Sequence, residues 1–137
     1  MPDDVVLAKV EIIERCVRRI RDEYAATPAN LHANWTKQDS ILLNLERACQ
    51  ASIDLALHLV TRRGLGLPKE SRDAFELLTA HGLLDRTLTE ALQRMVGFRN
   101  IAVHNYRKLD LSIVQSIVET RLGDFEAFCA HCLRLHP

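Results

Sequence analysis

Apolar residues recur at steps of three and four along most of this chain, and no stretch alternates with a period of two. The chain is therefore bound to an all-helical fold. Val6, Val10, Ile13, Val17, Ile20 and Tyr24 trace one face of a first helix. Asp3 or Asp4 can cap it, and it must end before Thr27-Pro28, because a residue preceding proline avoids the helical region. Leu42, Leu45, Cys49, Ile53, Ala56 and Val60 form the stripe of a second helix, from about Lys37 to Arg63, which stops at Gly64-Leu65-Gly66-Leu67-Pro68. A short helix is expected over Arg72 to Ala80, with Gly82 as its C′ residue. A fourth starts near Asp85 or Thr87 and carries Leu88, Leu92, Met95 and Ala102. The last runs from an Asp110 N-cap to about Leu135 on the stripe Val114, Val118, Leu122, Phe125, Cys129 and Leu133. Gly97 and Gly123 fall inside these patterns, where each costs about 1 kcal/mol against alanine. The expected architecture is an antiparallel bundle of four to five helices.

The 137 residues supply one core, so a single domain over residues 1–137 is expected. Lys plus Arg and Asp plus Glu number 18 each, leaving a formal net charge of zero. No global field draws the protein to nucleic acid or membrane, and any affinity for a polyanion must come from a local patch. The acidic start Met1-Pro2-Asp3-Asp4 is unlike a secretory leader, and no segment is apolar enough to span a bilayer. A cytoplasmic location follows, with Cys16, Cys49, Cys129 and Cys132 as reduced thiols.

The local patch lies in Gly97-Phe98-Arg99-Asn100-Ile101-Ala102-Val103-His104-Asn105-Tyr106-Arg107-Lys108. No acidic residue occurs between Glu90 and Asp110, while Arg94, Arg99, Arg107 and Lys108 are cationic and suited to phosphate contacts. The residue types fit metal-independent cleavage of RNA. The substrate brings its own nucleophile, the 2′-hydroxyl, and the first product is a 2′,3′-cyclic phosphate. Histidine titrates near neutrality and can move the proton. Arginine opposes the charge that develops on the phosphate. Arg99 and His104 stand about 140° apart on a straight helix, so they share a face only if the helix ends or distorts, or if two copies meet. From spacing alone, a capping or packing histidine and a solvated arginine are the commoner reading.

Arg99-x4-His104-x-Tyr106 resembles the R-x4-6-H signature of HEPN domains, in the extended H-x-Y form of the HepT-like toxins. The flanks resemble that family too: Asn44-Leu45, Ala48, Gln50-Ala51 and Ile53-Asp54, then Pro68-Lys69, Phe75-Glu76-Leu77-Leu78 and Met95-Val96-Gly97-Phe98-Arg99-Asn100. The likeness spans residues 39 to 110. It implies a HEPN-type bundle and a toxin ribonuclease of a type VII toxin–antitoxin system, partnered by an MntA-type nucleotidyltransferase antitoxin. By position it makes Arg99 and His104 catalytic, with Asn100 supporting them. It makes Tyr106 the hydroxyl that the antitoxin adenylylates. It also implies a homodimer with the motif at the dimer cleft, with higher assemblies left open. AMP on Tyr106 would add bulk and negative charge two residues from His104 and repel RNA.

Other residues read more plainly. Cys129 and Cys132, with His131 and His136, look like half a zinc site, but both lie on an apolar stripe and no second half exists. The expectation is buried thiols, no metal and no cofactor. Trp35 reads as a packing anchor at the start of the second helix, His58 as a core-edge residue, and Arg62 and Arg63 as partners of that helix's C-terminal dipole. Asp54 can reach the motif or solvent. Two rival readings stay open. One is a non-catalytic nucleotide- or RNA-binding module that partners a nucleotidyltransferase. The other is a purely structural bundle in which Arg99 and His104 hydrogen-bond inside a dimer.

Overall fold

The computed structural model describes residues 3–26, 31–104 and 110–135, without the side chains of residues 26, 103 and 104. Among the described residues there are six helices and no strand: α1 (Asp4–Ala26), α2 (Trp35–Arg63), α3 (Ser71–Ala80), α4 (Arg86–His104), α5 (Leu111–Thr120) and α6 (Leu122–Arg134).

The helix limits follow from local chemistry. Asp3 caps α1 by accepting from the Val5 N–H at 2.8 Å, and Asn34 caps α2 by accepting from the Lys37 N–H at 3.0 Å. Asp85 and Asp110 do the same for α4 and α5, at the N–H groups of Leu88 and Ser112. Gly82 closes α3 at φ +75°, a left-handed conformation that side chains resist, while the Leu83 N–H reaches back to the Leu78 carbonyl at 2.9 Å.

α1 and α2 run antiparallel. Between α1 and α2 the pairs are Asp3 with His58, Lys9 with Asp54, and the Lys37 ammonium with the Glu23 carbonyl. α4 descends along α2, where the Cys49 thiol donates to the Met95 carbonyl at 3.7 Å. α3 and α4 are joined by Arg86 with Glu76 and by the hydroxyls of Thr79 and Thr89. The expected stripes of α1 and α2 point into one core, and Val6, Val10, Ile13, Val17, Ile20, Leu45, Cys49, Ala56 and Val60 are all buried. Phe75 of α3 meets Phe128 of α6 edge-to-face, with ring centroids 5.6 Å apart.

Three expectations need correction. The final helix is two helices, parted at Arg121 (φ −120°, ψ −3°). The Thr120 hydroxyl donates to the Ser116 carbonyl at 2.6 Å, a back-bond that bends helices, and Gly123 offers little propensity to hold the turn straight. Leu133 is 40% exposed, and Cys132 takes the core position instead. Relative to Phe125, Cys132 lies about 20° around the helix and Leu133 about 80°. Trp35 is 80% exposed rather than a packing anchor among the described residues. It sits roughly 120° from Ile41, off the buried face of α2, where the Lys37 and Gln38 side chains are enclosed instead.

Candidate active site

α4 carries Arg94, Arg99, Asn100 and the His104 backbone, and it packs on α2. Met95 and Phe98 are buried on the core side, and Arg94 and Asn100 are exposed. Arg99 is half-buried, and its guanidinium donates to Asn100 Oδ1 at 3.3 Å. The structure thus brings Arg99 and Asn100 together. α4 is helical through His104, so the backbone directions at Arg99 and His104 differ by about 140°. The His104 side chain lies outside the described residues, as do Tyr106, Arg107 and Lys108.

Arg99 leans toward α2. Burial pushes the Cys49 thiol up to about 12, against the opposing pull of the nearby Arg99 charge. Cys49 is therefore a neutral packing group beside a cation. Arg99 Nε is buried and has no hydrogen-bond partner among the described residues. A buried N–H left unpaired costs about 1–3 kcal/mol, so this position gains from any acceptor brought to it.

Grooves flank α4 on both sides. One of about 360 Å³ runs between α4 and α5 and is lined by Met95, Phe98, Ile113 and Ile117, with Arg94 and Arg121 at its edge. The exposed Ile101 (51%) and Ile113 (53%) stand on this side. On the other flank a groove is formed by Glu70, Ser71, Arg72, Val96 and Asn100. Arg72 escaped sequence reasoning. It lies 25 positions before Gly97, yet its Nη2 is 2.6 Å from where a Gly97 Cβ would stand.

The remaining candidates take structural roles. Among the described residues, Asp54 pairs with Lys9 at 3.3 Å and with Gln50 at 2.9 Å. His58 pairs with Asp3 at 2.5 Å. Arg62 Nε lies 3.6 Å from Asp3 Oδ2, and Arg63 donates to the Leu135 carbonyl at 2.6 Å. Cys129 and Cys132 are buried, which pushes both thiols up, Cys129 to about 12. Among the described residues no three His, Cys, Asp or Glu side chains converge as metal ligands. Nor is any described helix long and apolar enough to cross a membrane.

A cationic helix with an under-bonded arginine, in an all-α bundle, defines a class. Residues 13–132 match the model of the ribonuclease HepT-like family, and the chain belongs to that family. The mRNA nuclease HepT of Shewanella oneidensis is 43% identical over 126 residues, covering 92% of this chain and 94% of that protein. The solved structure of a tri-AMPylated Shewanella oneidensis HEPN toxin in complex with MNT antitoxin superposes with a TM-score of 0.90 at 42% identity. That match covers 94% of this chain and 96% of the toxin. A toxin–antitoxin crystal structure with AMP-PNP also gives 0.90, at 41% identity, over 94% of this chain and 97% of the other.

Proposed function

We propose that this chain is the toxin ribonuclease of a type VII toxin–antitoxin pair, with its chemistry at Arg99 and His104. The observation that carries this reading is the buried Nε of Arg99, unpartnered among the described residues, in a stretch of sequence free of carboxylates. An RNA phosphate supplies the missing acceptor. The 2′-hydroxyl attacks the adjacent phosphorus, the bond to the 5′-oxygen breaks, and a 2′,3′-cyclic phosphate and a free 5′-hydroxyl result. His104 moves the proton, and Arg99 opposes the negative charge that grows on the phosphoryl oxygens. Asn100, already bonded to Arg99, holds the guanidinium in place. Arg94, Arg107 and Lys108 contact the flanking backbone and make binding salt-dependent.

The protein works as a homodimer in the cytoplasm. Ile101 and Ile113 supply exposed apolar surface beside the groove between α4 and α5, and a two-fold contact there would bring two copies of α4 together. Such a contact also overcomes the 140° separation, because Arg99 of one protomer can face His104 of its partner. The regulator is an MntA-type nucleotidyltransferase. The Tyr106 hydroxyl attacks the α-phosphorus of ATP, pyrophosphate leaves, and AMP remains on the phenolic oxygen. Cleavage of a defined RNA in excess chelator tests the chemistry. The expected result is a 2′,3′-cyclic phosphate product from the unmodified protein, lost in folded Arg99→Ala and His104→Ala. RNA that is bound but left whole would instead favour the non-catalytic module.

A further inference from the structure

We propose that Arg72 is a second phosphate-binding residue of the site, presented to RNA by the absence of a side chain at Gly97. This rests on the ribonuclease reading and names a contact that the α4 motif does not contain. The guanidinium comes from the first turn of α3, yet its tip rests on α4 two residues before Arg99. Any Cβ at position 97 would stand 2.6 Å from Nη2 and push it off.

The guanidinium makes no hydrogen bond or ion pair among the described residues, although three carboxylates lie on the same stretch of chain. Each of those is committed elsewhere. Asp73 accepts from the Lys69 and Glu70 N–H groups, Glu70 takes part in the same capping box, and Glu76 pairs with Arg86. A cation kept clear of nearby carboxylates keeps its full charge for an anion that arrives later.

Its position gives the anion's identity. Arg72 lines the groove that contains Asn100, and it also lines the one containing Arg94, Phe98 and Ile101. Among the described residues it is the cation that lines both of these grooves. A polyanion laid across α4 at Arg99 crosses both grooves, and a neighbouring phosphate then meets Arg72.

Steady-state cleavage and fluorescence-anisotropy binding of one labelled single-stranded RNA, at several salt concentrations, test this in the unmodified full chain. Arg72→Ala should raise both KM and Kd about tenfold, the scale of one charge-assisted hydrogen bond, with kcat within about twofold. Its binding should lose about one unit of salt slope. Arg72→Lys should recover part of the affinity. Gly97→Ala should weaken binding in the native background and have no further effect when combined with Arg72→Ala. Unchanged KM, Kd and salt slope in Arg72→Ala would overturn the proposal. So would a Gly97→Ala loss that persists in the Arg72→Ala background. If the wild-type protein binds RNA without cutting it, the ribonuclease reading fails, and the binding series still decides the role of Arg72.

Discussion

Arg72 occupies the space that a side chain on Gly97 would fill, its Nη2 only 2.6 Å from the position of the missing Cβ. Gly97 lies within α4, where glycine costs about 1 kcal/mol relative to alanine. The close neighbour of the added methyl among the described residues is the far end of a flexible side chain, so the clash is relieved at little cost. Gly97→Ala should therefore stabilise the fold by roughly 0.5–1 kcal/mol, read as a higher urea midpoint with unchanged slope. A destabilised Gly97→Ala would show that the α3–α4 contact cannot adjust.

The edge-to-face pair of Phe75 and Phe128 joins α3 to α6 in the core. Both rings are almost wholly buried, and truncation leaves a cavity as well as losing transfer energy. Phe128→Ala should cost about 3–5 kcal/mol. The exposed Arg21–Glu126 pair links α1 to α6, and Arg21→Ala should cost under about 1 kcal/mol. Denaturant unfolding of the two variants checks the contrast, and similar losses would contradict it.

The stability of α1 should fall in acid. The hydrogen bond from His58, then the Val5 N–H, holds the Asp3 carboxyl below its ordinary 3.8. A carboxylate favoured in the folded state contributes its stability above the unfolded value and loses it as pH falls through the folded one. The contribution should thus be complete above about pH 4 and fade below it. Asp3→Asn should remove this part of the acid transition in a circular-dichroism titration, whereas an unaltered acid limb would refute the linkage.

Burial raises the pKa of all four thiols, with Cys49 and Cys129 pushed up to about 12. Thiolate is the reactive form, so alkylation at pH 8 should leave the native protein unmodified. Four adducts should appear after denaturation, counted by intact mass. Rapid native labelling of Cys49 would mean that the α2–α4 contact opens.

Much of the fold was legible in the sequence because burial imposes helical spacing. The stripes of α1 and α2, a cap at Asp3 or Asp4, the start of α4 near Asp85, the cap at Asp110 and Gly82 as the close of α3 follow from local rules that the tertiary structure leaves intact. The failures have a different origin. Leu133 was placed in the core by its apolar stripe and Trp35 by its position at the start of α2, but the geometry of a 3.6-residue turn carries both off the buried face. The break at Arg121 depends on a single hydroxyl back-bond, which periodicity does not record. Within the candidate site, Arg99 and Asn100 were visible as neighbours in a motif. Arg72 was not, because only the packing of α3 across α4 places it beside Gly97.

The most direct test is the intact mass of the chain, expressed alone and with an MntA-type nucleotidyltransferase, read beside an RNA cleavage assay of each sample. Added AMP is expected in the second sample only, with its loss in Tyr106→Phe and cleavage by the unmodified protein alone. Folded, unmodified protein that leaves RNA whole, or an adenylylated form that cleaves at the full rate, would contradict this.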